Sequence, residues 1–366
     1  MESQRLGQLL ITGVPGPELD AETAERFRKL QPGAFILFGR NIQSPGQLRK
    51  LIDDLRDLSR IEPIITIDQE GGRVSRLRLI GEEPPNAQQL REKGDPRLIH
   101  QHGQLTGQLL RLFGFNLDLC PVLDISCNGD TDNSLRGRTY GTTPDEVIGN
   151  ATIFNTALRR EGILTCGKHF PGYASARVDP HHALPVIEKT MAEMEAHDLL
   201  PYRSMLPDLD SIMVGHAYYP CFDPHRWPGS LSPNVIQRFL RDQLAYEGLV
   251  MTDDLDMGAI LNEVTFADTI RHAMHAGNDL VMICHRLDMV EEAHAQLATL
   301  PHPLLDDALR HVEALKAKMA PPKPWSLEAF ESINREIWNL RVATLGEEQA
   351  AVRSVEDGAR SPVELY

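Results

Sequence analysis

Eight times along the chain, a short apolar run without polar alternation gives way to a longer stretch with helical spacing. This recurrence restricts the fold more than any other feature. A strand that is apolar on both faces must be covered on both faces, and crossover helices between parallel strands do this. The runs cover residues 7–14, 34–39, 63–68, 116–124, 163–166, 211–216, 249–254 and 279–285. Between them lie amphipathic stretches with start and stop signals. Asp20 and Glu22 favour the N-terminal end of a helix over 18–30, and Ser44 followed by Pro45 caps one running to 58. Further helices are expected over 98–113, from Thr143-Pro144 to about 161, from Ser232-Pro233 onward, and up to Ala276-Gly277.

Eight parallel units are the number that closes a barrel. No Gly-x-Gly-x-x-Gly fingerprint follows the first run, which disfavours an open doubly wound sheet. The expected fold is therefore α/β: a (β/α)8 TIM-type barrel over residues 1–300, a single domain with a C-terminal helical extension. The extension comprises helices within 301–345 packed on the barrel, broken at Pro321-Pro322-Lys323-Pro324 and stopped at Gly346. A polar tail, 346–366, follows.

Charge and composition narrow the function. The 366 residues carry a formal net charge of −15 with no Lys/Arg tract, a poor match to phosphate backbones or anionic membranes. No nucleic-acid partner is expected. No run of about 18 apolar residues is present, so no membrane-spanning helix is expected. The first residues are too short and too broken by Gly13 and Pro15 for a secretory signal. The five cysteines are scattered, odd in number and without zinc or redox spacing, so a reducing cytoplasm, no structural metal and no cofactor are expected. The chain is expected to work as a monomer or homodimer.

In such barrels the chemistry sits where strands end. The ends of the runs carry Asp68 and Glu70, Asp124, Lys168 and His169, His216, Asp253 and Asp254, and His285. Any one of these suits an ordinary loop start or helix cap, but so many carboxylates and histidines on one rim point to a polar site. The fifth run spills into a loop holding Asp179-Pro180-His181, where a carboxylate can orient an imidazole and raise its basicity. Glycosyl transfer needs a carboxylate to meet the oxocarbenium-like carbon and an acid/base on the leaving oxygen. Asp253 suits the first role and the Asp179–His181 pair the second. Asp68, Arg76, Arg138, Lys168 and His169 supply charged hydrogen-bonding groups for sugar hydroxyls. No His-x-His stands at an early strand end, which weakens metal-dependent hydrolysis, though dispersed His and Asp ligands leave it open.

Four segments carry a resemblance: Asp68-Gln69-Glu70-Gly71-Gly72-Arg73-Val74-Ser75-Arg76, Lys168-His169-Phe170-Pro171-Gly172, Asp179-Pro180-His181, and Thr252-Asp253-Asp254-Leu255-Asp256-Met257. Together and in this order they resemble glycoside hydrolase family 3, and within it the single-domain bacterial β-N-acetylglucosaminidases. The resemblance implies a retaining double displacement on a small carbohydrate substrate containing N-acetylglucosamine. It implies Asp253 as nucleophile, His181 as acid/base and Asp179 as its partner. It also implies Asp68, Arg76, Arg138, Lys168 and His169 as sugar-binding residues, with His216 a further strand-end histidine near the site.

Two departures stand out. The family commonly continues Phe-Pro-Gly with His-Gly, where this chain has Tyr173-Ala174, and Pro180 replaces the usual serine between Asp and His. Three alternatives stay open: a phosphorylase or β-glucosidase of the same family, a barrel that binds amino sugars without turnover, and a metal-dependent hydrolase.

Overall fold

The computed structural model describes residues 2–126, 134–173 and 184–354. Asp179, His181 and most of the expected tail lie outside these residues.

The barrel strands are β1 (Leu10–Gly13), β2 (Ala34–Leu37), β3 (Ile64–Ile67), β6 (Leu117–Asp118), β7 (Leu164–Phe170), β8 (Ser211–Val214), β9 (Leu249–Asp254) and β10 (Leu280–Ile283). A two-stranded antiparallel hairpin, β4 (Gln69–Gly71) and β5 (Val74–Ser75), interrupts the series after β3. The eight barrel strands pair in parallel and close on themselves in the order β1-β10-β9-β8-β7-β6-β3-β2. The (β/α)8 expectation holds. Every residue of β1, β2 and β3 is buried, as unalternated apolar strands require.

Side-chain direction still alternates within those runs. Phe35, Leu37, Ile65 and Ile67 join one core with Leu51, Leu55 and Leu110 of flanking helices. Their neighbours Ala34, Ile36 and Ile64 join a second core with Leu117, Leu119, Cys166, Met213, Met251 and Met282. A period of two on a pleated strand accounts for the split.

Strand edges differ from the expected runs for local reasons. The first run opens with a helix, Glu2–Gly7, and only Leu10–Gly13 pairs. The fourth reaches the ladder through Leu117–Asp118 and a bridge from Val122 to Lys168, because Pro121 has no N–H to donate. Asn116 completes that edge: its Oδ1 accepts from Ile65 N at 2.9 Å and its Nδ2 donates to Pro63 O at 3.0 Å. The fifth strand is longer than the apolar run, extending through Lys168 and His169 to Phe170.

The helix caps follow the sequence signals. Asp20 accepts from Thr23 N, Ser44 from Gln47 N and Thr143 from Glu146 N. Gly114 and Gly277 end their helices at φ 99° and 108°, where a side chain would be strained. Among the described residues no helix is long and apolar enough to cross a membrane.

The C-terminal helix Leu327–Leu345 packs on Pro96–Phe113, with Phe113 against the rings of Trp325 and Phe330. Its Arg341 reaches a buried carboxylate, Glu83, at 3.0 Å, and also donates to Glu83 O and Ala350 O. The stretch after Gly346, expected as loose tail, begins with a helical turn, Glu347–Ala350, held by Arg341. Ser354 Oγ then donates to Glu83 Oε1 at 2.8 Å. Glu83 is thereby gripped from the far end of the chain.

Candidate active site

At the C-terminal rim of the strands lies a cavity of about 640 Å³ including its open mouth. Its wall is divided. Asp68, Arg76, Arg138, Lys168 and His169 make one side; Ile36, Phe38, Met213, Met257, Met282 and Cys284 make an apolar side. Asp253, Asp254, His285, Leu119 and Tyr173 complete it.

The polar side is a network of alternating charges. Asp68 stands one residue past β3 and Lys168 near the end of β7, so parallel pairing through β6 brings them to one level. Lys168 Nζ lies 2.7 Å from Asp68 Oδ1 and 2.7 Å from Glu70 Oε1. Arg138 forks onto Glu70, Nε to Oε2 and Nη2 to Oε1, each at 2.7 Å, and Arg76 Nη2 stands 3.5 Å from Asp68 Oδ2. Burial alone would raise the Glu70 carboxyl, but Arg138 and Lys168 outweigh it and hold the group well below the carboxylate range. Asp68 is likewise lowered: burial opposes, and Lys168 and then Arg76 prevail. Lys168 is raised, the two carboxylates overcoming its own burial. All these groups are charged at neutral pH before any ligand arrives, the condition for preorganised hydrogen bonding.

Beside them Asp118 behaves differently. Burial pushes its carboxyl up to about 8, opposed by the Gln69 N–H and the Lys168 charge. Its Oδ2 has no hydrogen-bond partner. Its burial favours the neutral acid near pH 7.

On the other side, Asp253 sits in β9 with its Oδ1 accepting from Asp254 N at 2.8 Å. Asp254 Oδ1 accepts from Asp256 N at 3.0 Å and Cys284 N at 3.1 Å, so the strand end is held from β10. His216 lies outside the cavity lining. Its Nε2 is 2.9 Å from Asp254 O and its Nδ1 2.8 Å from Ser230 Oγ. A carbonyl only accepts, so Nε2 carries the hydrogen, and the ring supports the Asp253–Asp254 backbone from behind.

Asp254, Cys284 and His285 are the described residues best placed for a metal, with one donor atom each within 4.8 Å of one another. Arg40 argues against it. Its Nη1 is 2.8 Å from His285 Nδ1 and can only donate, so the ring hydrogen is on Nε2, 3.3 Å from Asp254 Oδ2. Coordination through Nε2 would require that hydrogen to leave while Nδ1 still accepts, the reverse of the usual ligand histidine. The trio fits a hydrogen-bond network.

The structure thus brings together Asp68, Arg76, Arg138, Lys168, His169 and Asp253 around one cavity. Asp179 and His181 lie outside the described residues; the chain enters that segment from Tyr173, in the cavity wall. Sequence reasoning gave no role to Arg40 or Phe38. Both follow β2 directly, so the strand-end rule pointed at them, yet Phe38-Gly39-Arg40 carries none of the clustered carboxylates or histidines that drew attention elsewhere.

Comparison with known proteins agrees with this geometry. The family model described as "Glycosyl hydrolase family 3 N terminal domain" matches residues 2–315. A beta-hexosaminidase from Methylococcus capsulatus is 34% identical over 274 residues, covering 74% of this chain and 80% of that protein. Among solved structures, a glycoside hydrolase family 3 beta-N-acetylglucosaminidase from Paenibacillus sp. str. FPU-7 superposes with a TM-score of 0.87 at 28% identity, covering 94% of this chain and 69% of that one. NagZ from Neisseria gonorrhoeae superposes with a TM-score of 0.76 at 26% identity, covering 91% of this chain and 97% of that one.

Proposed function

The chain belongs to glycosyl hydrolase family 3, and from that premise we propose that it is a retaining exo-β-N-acetylglucosaminidase releasing terminal N-acetylglucosamine from cell-wall muropeptide or chitooligosaccharide fragments. That it is a glycoside hydrolase follows from the family; the substrate and the roles below are our reading.

The observation that carries this reading is the divided cavity: a fixed array of charged donors and acceptors lines the same cavity as Asp253. Asp68, Arg76, Arg138, Lys168 and His169 hold the hydroxyls, and their bonds strengthen as the ring flattens toward the oxocarbenium-like transition state. In the first step a carboxylate oxygen of Asp253 bonds to the anomeric carbon as the glycosidic bond breaks, and His181 gives its proton to the leaving oxygen. In the second, water loses a proton to His181 and displaces Asp253, restoring both groups. Asp179 would hold the His181 ring in the orientation both transfers need. An imidazole in this role avoids a second carboxylate beside an anionic aglycone. His216 contributes as a support behind the nucleophile, not as a sugar ligand.

The test is hydrolysis of a chromogenic β-N-acetylglucosaminide beside the matching β-glucoside, for the wild type and Asp253→Ala, with chelator and with phosphate in separate runs. Selective, chelator-resistant turnover abolished in the variant is expected. Stimulation by phosphate with a sugar 1-phosphate product would convert the reading to a phosphorylase, and turnover unaffected by Asp253→Ala would sink the assignment of the nucleophile.

A further inference from the structure

We propose that Asp124, which does not line the cavity, is a positioning residue of the reaction: it fixes the ring hydrogen of His169 on Nδ1, so that Nε2 faces the sugar as an acceptor. The inference rests on the hydrolase reading above and adds to it a residue that never meets substrate.

Asp124 is 1% exposed. Its Oδ2 lies 2.7 Å from His169 Nδ1 and accepts from His169 N at 3.1 Å, while Oδ1 accepts from Tyr173 N at 2.8 Å. One carboxylate therefore takes three N–H groups from a single turn, which Gly172 N closes onto His169 O at 2.7 Å. A carboxylate only accepts, so the neutral imidazole must place its hydrogen on Nδ1 and leave the Nε2 lone pair free. The Tyr173 ring, edge-on at 4.7 Å from the imidazole centroid, braces it further.

The consequence depends on what else lines the cavity. Lys168, Arg76 and Arg138 are donors without acceptor capacity. A sugar hydroxyl that accepts from them still has its own hydrogen to place. Besides the carboxylates, His169 Nε2 provides the acceptor, provided the tautomer is held. An isosteric amide at position 124 keeps an oxygen for a backbone N–H but can present an NH2 to Nδ1, which moves the ring hydrogen to Nε2. The cavity then has one donor too many and one acceptor too few.

The experiment uses the full chain with 15N-labelled histidine, in wild type and Asp124→Asn, without ligand. The expected spectra show the Nδ1–H tautomer in the wild type and the Nε2–H tautomer in the variant. Hydrolysis of the chromogenic β-N-acetylglucosaminide should fall about 10- to 100-fold in kcat/KM, the range of one charge-assisted hydrogen bond, with kcat carrying more of it than KM. In a His169→Ala background the same Asp124→Asn change should cost almost nothing further. An unchanged tautomer, or an undiminished loss in that background, would overturn the proposal in favour of a plain turn clamp. A wild type that turns over no glycoside would instead defeat the hydrolase reading, and the two failures are told apart because the tautomer is read without substrate.

Discussion

Replacing Glu70 with glutamine tests whether the charged wall is a structural requirement or only a binding surface. Glu70 is 5% exposed and accepts three contacts of 2.7 Å, two from Arg138 and one from Lys168. After Glu70→Gln, Lys168 retains Asp68 at 2.7 Å, but Arg138 keeps Ser134 O at 3.0 Å and at most the one amide oxygen, loses the negative charge and faces a new N–H donor. A guanidinium is left buried and uncompensated, and breaking such a pair costs about 3–5 kcal/mol. Asp68→Asn is the control. Its side chain is 16% exposed and opens on the cavity, so solvent relieves the cations it abandons and the loss should be nearer 1–2 kcal/mol. The assay is urea denaturation with the midpoint lowered at constant slope, beside KM and kcat on the chromogenic substrate. Glu70→Gln should lose more stability and Asp68→Asn more activity. A Glu70→Gln protein within about 1 kcal/mol of wild type, or more stable than Asp68→Asn, would refute the claim that Arg138 and Lys168 depend on Glu70.

Asp118 supplies a pH test. The unfolded chain releases its proton near 3.8 and the folded chain near 8, so folding takes up a proton between those values and this contribution is lost as pH rises across the window. Asp118→Asn should therefore gain on wild type by up to ~1.4 kcal/mol per pH unit from pH 4 to 8; a constant difference would contradict a neutral Asp118. His102 predicts the opposite slope: burial lowers it to about 4, and neither ring nitrogen has a partner. The unfolded chain binds that proton from about 6.5, so stability drains as pH falls from there, by about 3 kcal/mol at pH 4, and His102→Leu should flatten the acid limb of the denaturation profile. Arg40→Lys cannot donate together to Val14 O, Cys284 O and His285 Nδ1 as arginine does. About tenfold in kcat/KM should be lost, and unchanged kinetics would detach this network from the reaction.

How much of this was legible beforehand depended on the kind of signal. Barrel strands such as Ala34–Leu37 and Leu280–Ile283 announced themselves because burial on both faces leaves nothing but apolar residues to place there. Asp68, Lys168 and Asp253 were found because strand ends are geometrically special in this architecture. What escaped were relations between distant residues of ordinary type. Glu70 and Asp124 were visible as strand-end acids, yet neither the bidentate Arg138 pair nor the His169 clamp can be inferred from spacing, since their partners lie 68 and 45 residues away. The hairpin of β4 and β5 was not foreseen either. Gly71 and Gly72 stand at φ 107° and 54°, and a Cβ on Gly71 would meet Pro85 O at 2.4 Å, which is why this close approach tolerates no side chain.

The grip of Arg341 on Glu83 bears on when the molecule becomes competent during its own synthesis. The segment from Arg76 to Glu83 is moored to the cavity at one end, through Asp68, and at the other to a helix made 258 residues after Glu83. A chain whose barrel strands are all made can already pair Glu83 with Arg78, at 3.3 Å, but still lacks Arg341. Until Leu327–Leu345 is made, the segment carrying Arg76 is moored at its Asp68 end but lacks the Arg341 anchor at the other, so full sugar binding should wait for that helix. Chains ending at Lys316 should accordingly bind sugar weakly even where circular dichroism shows the barrel formed, and supplying residues 317–366 as a separate polypeptide should restore binding.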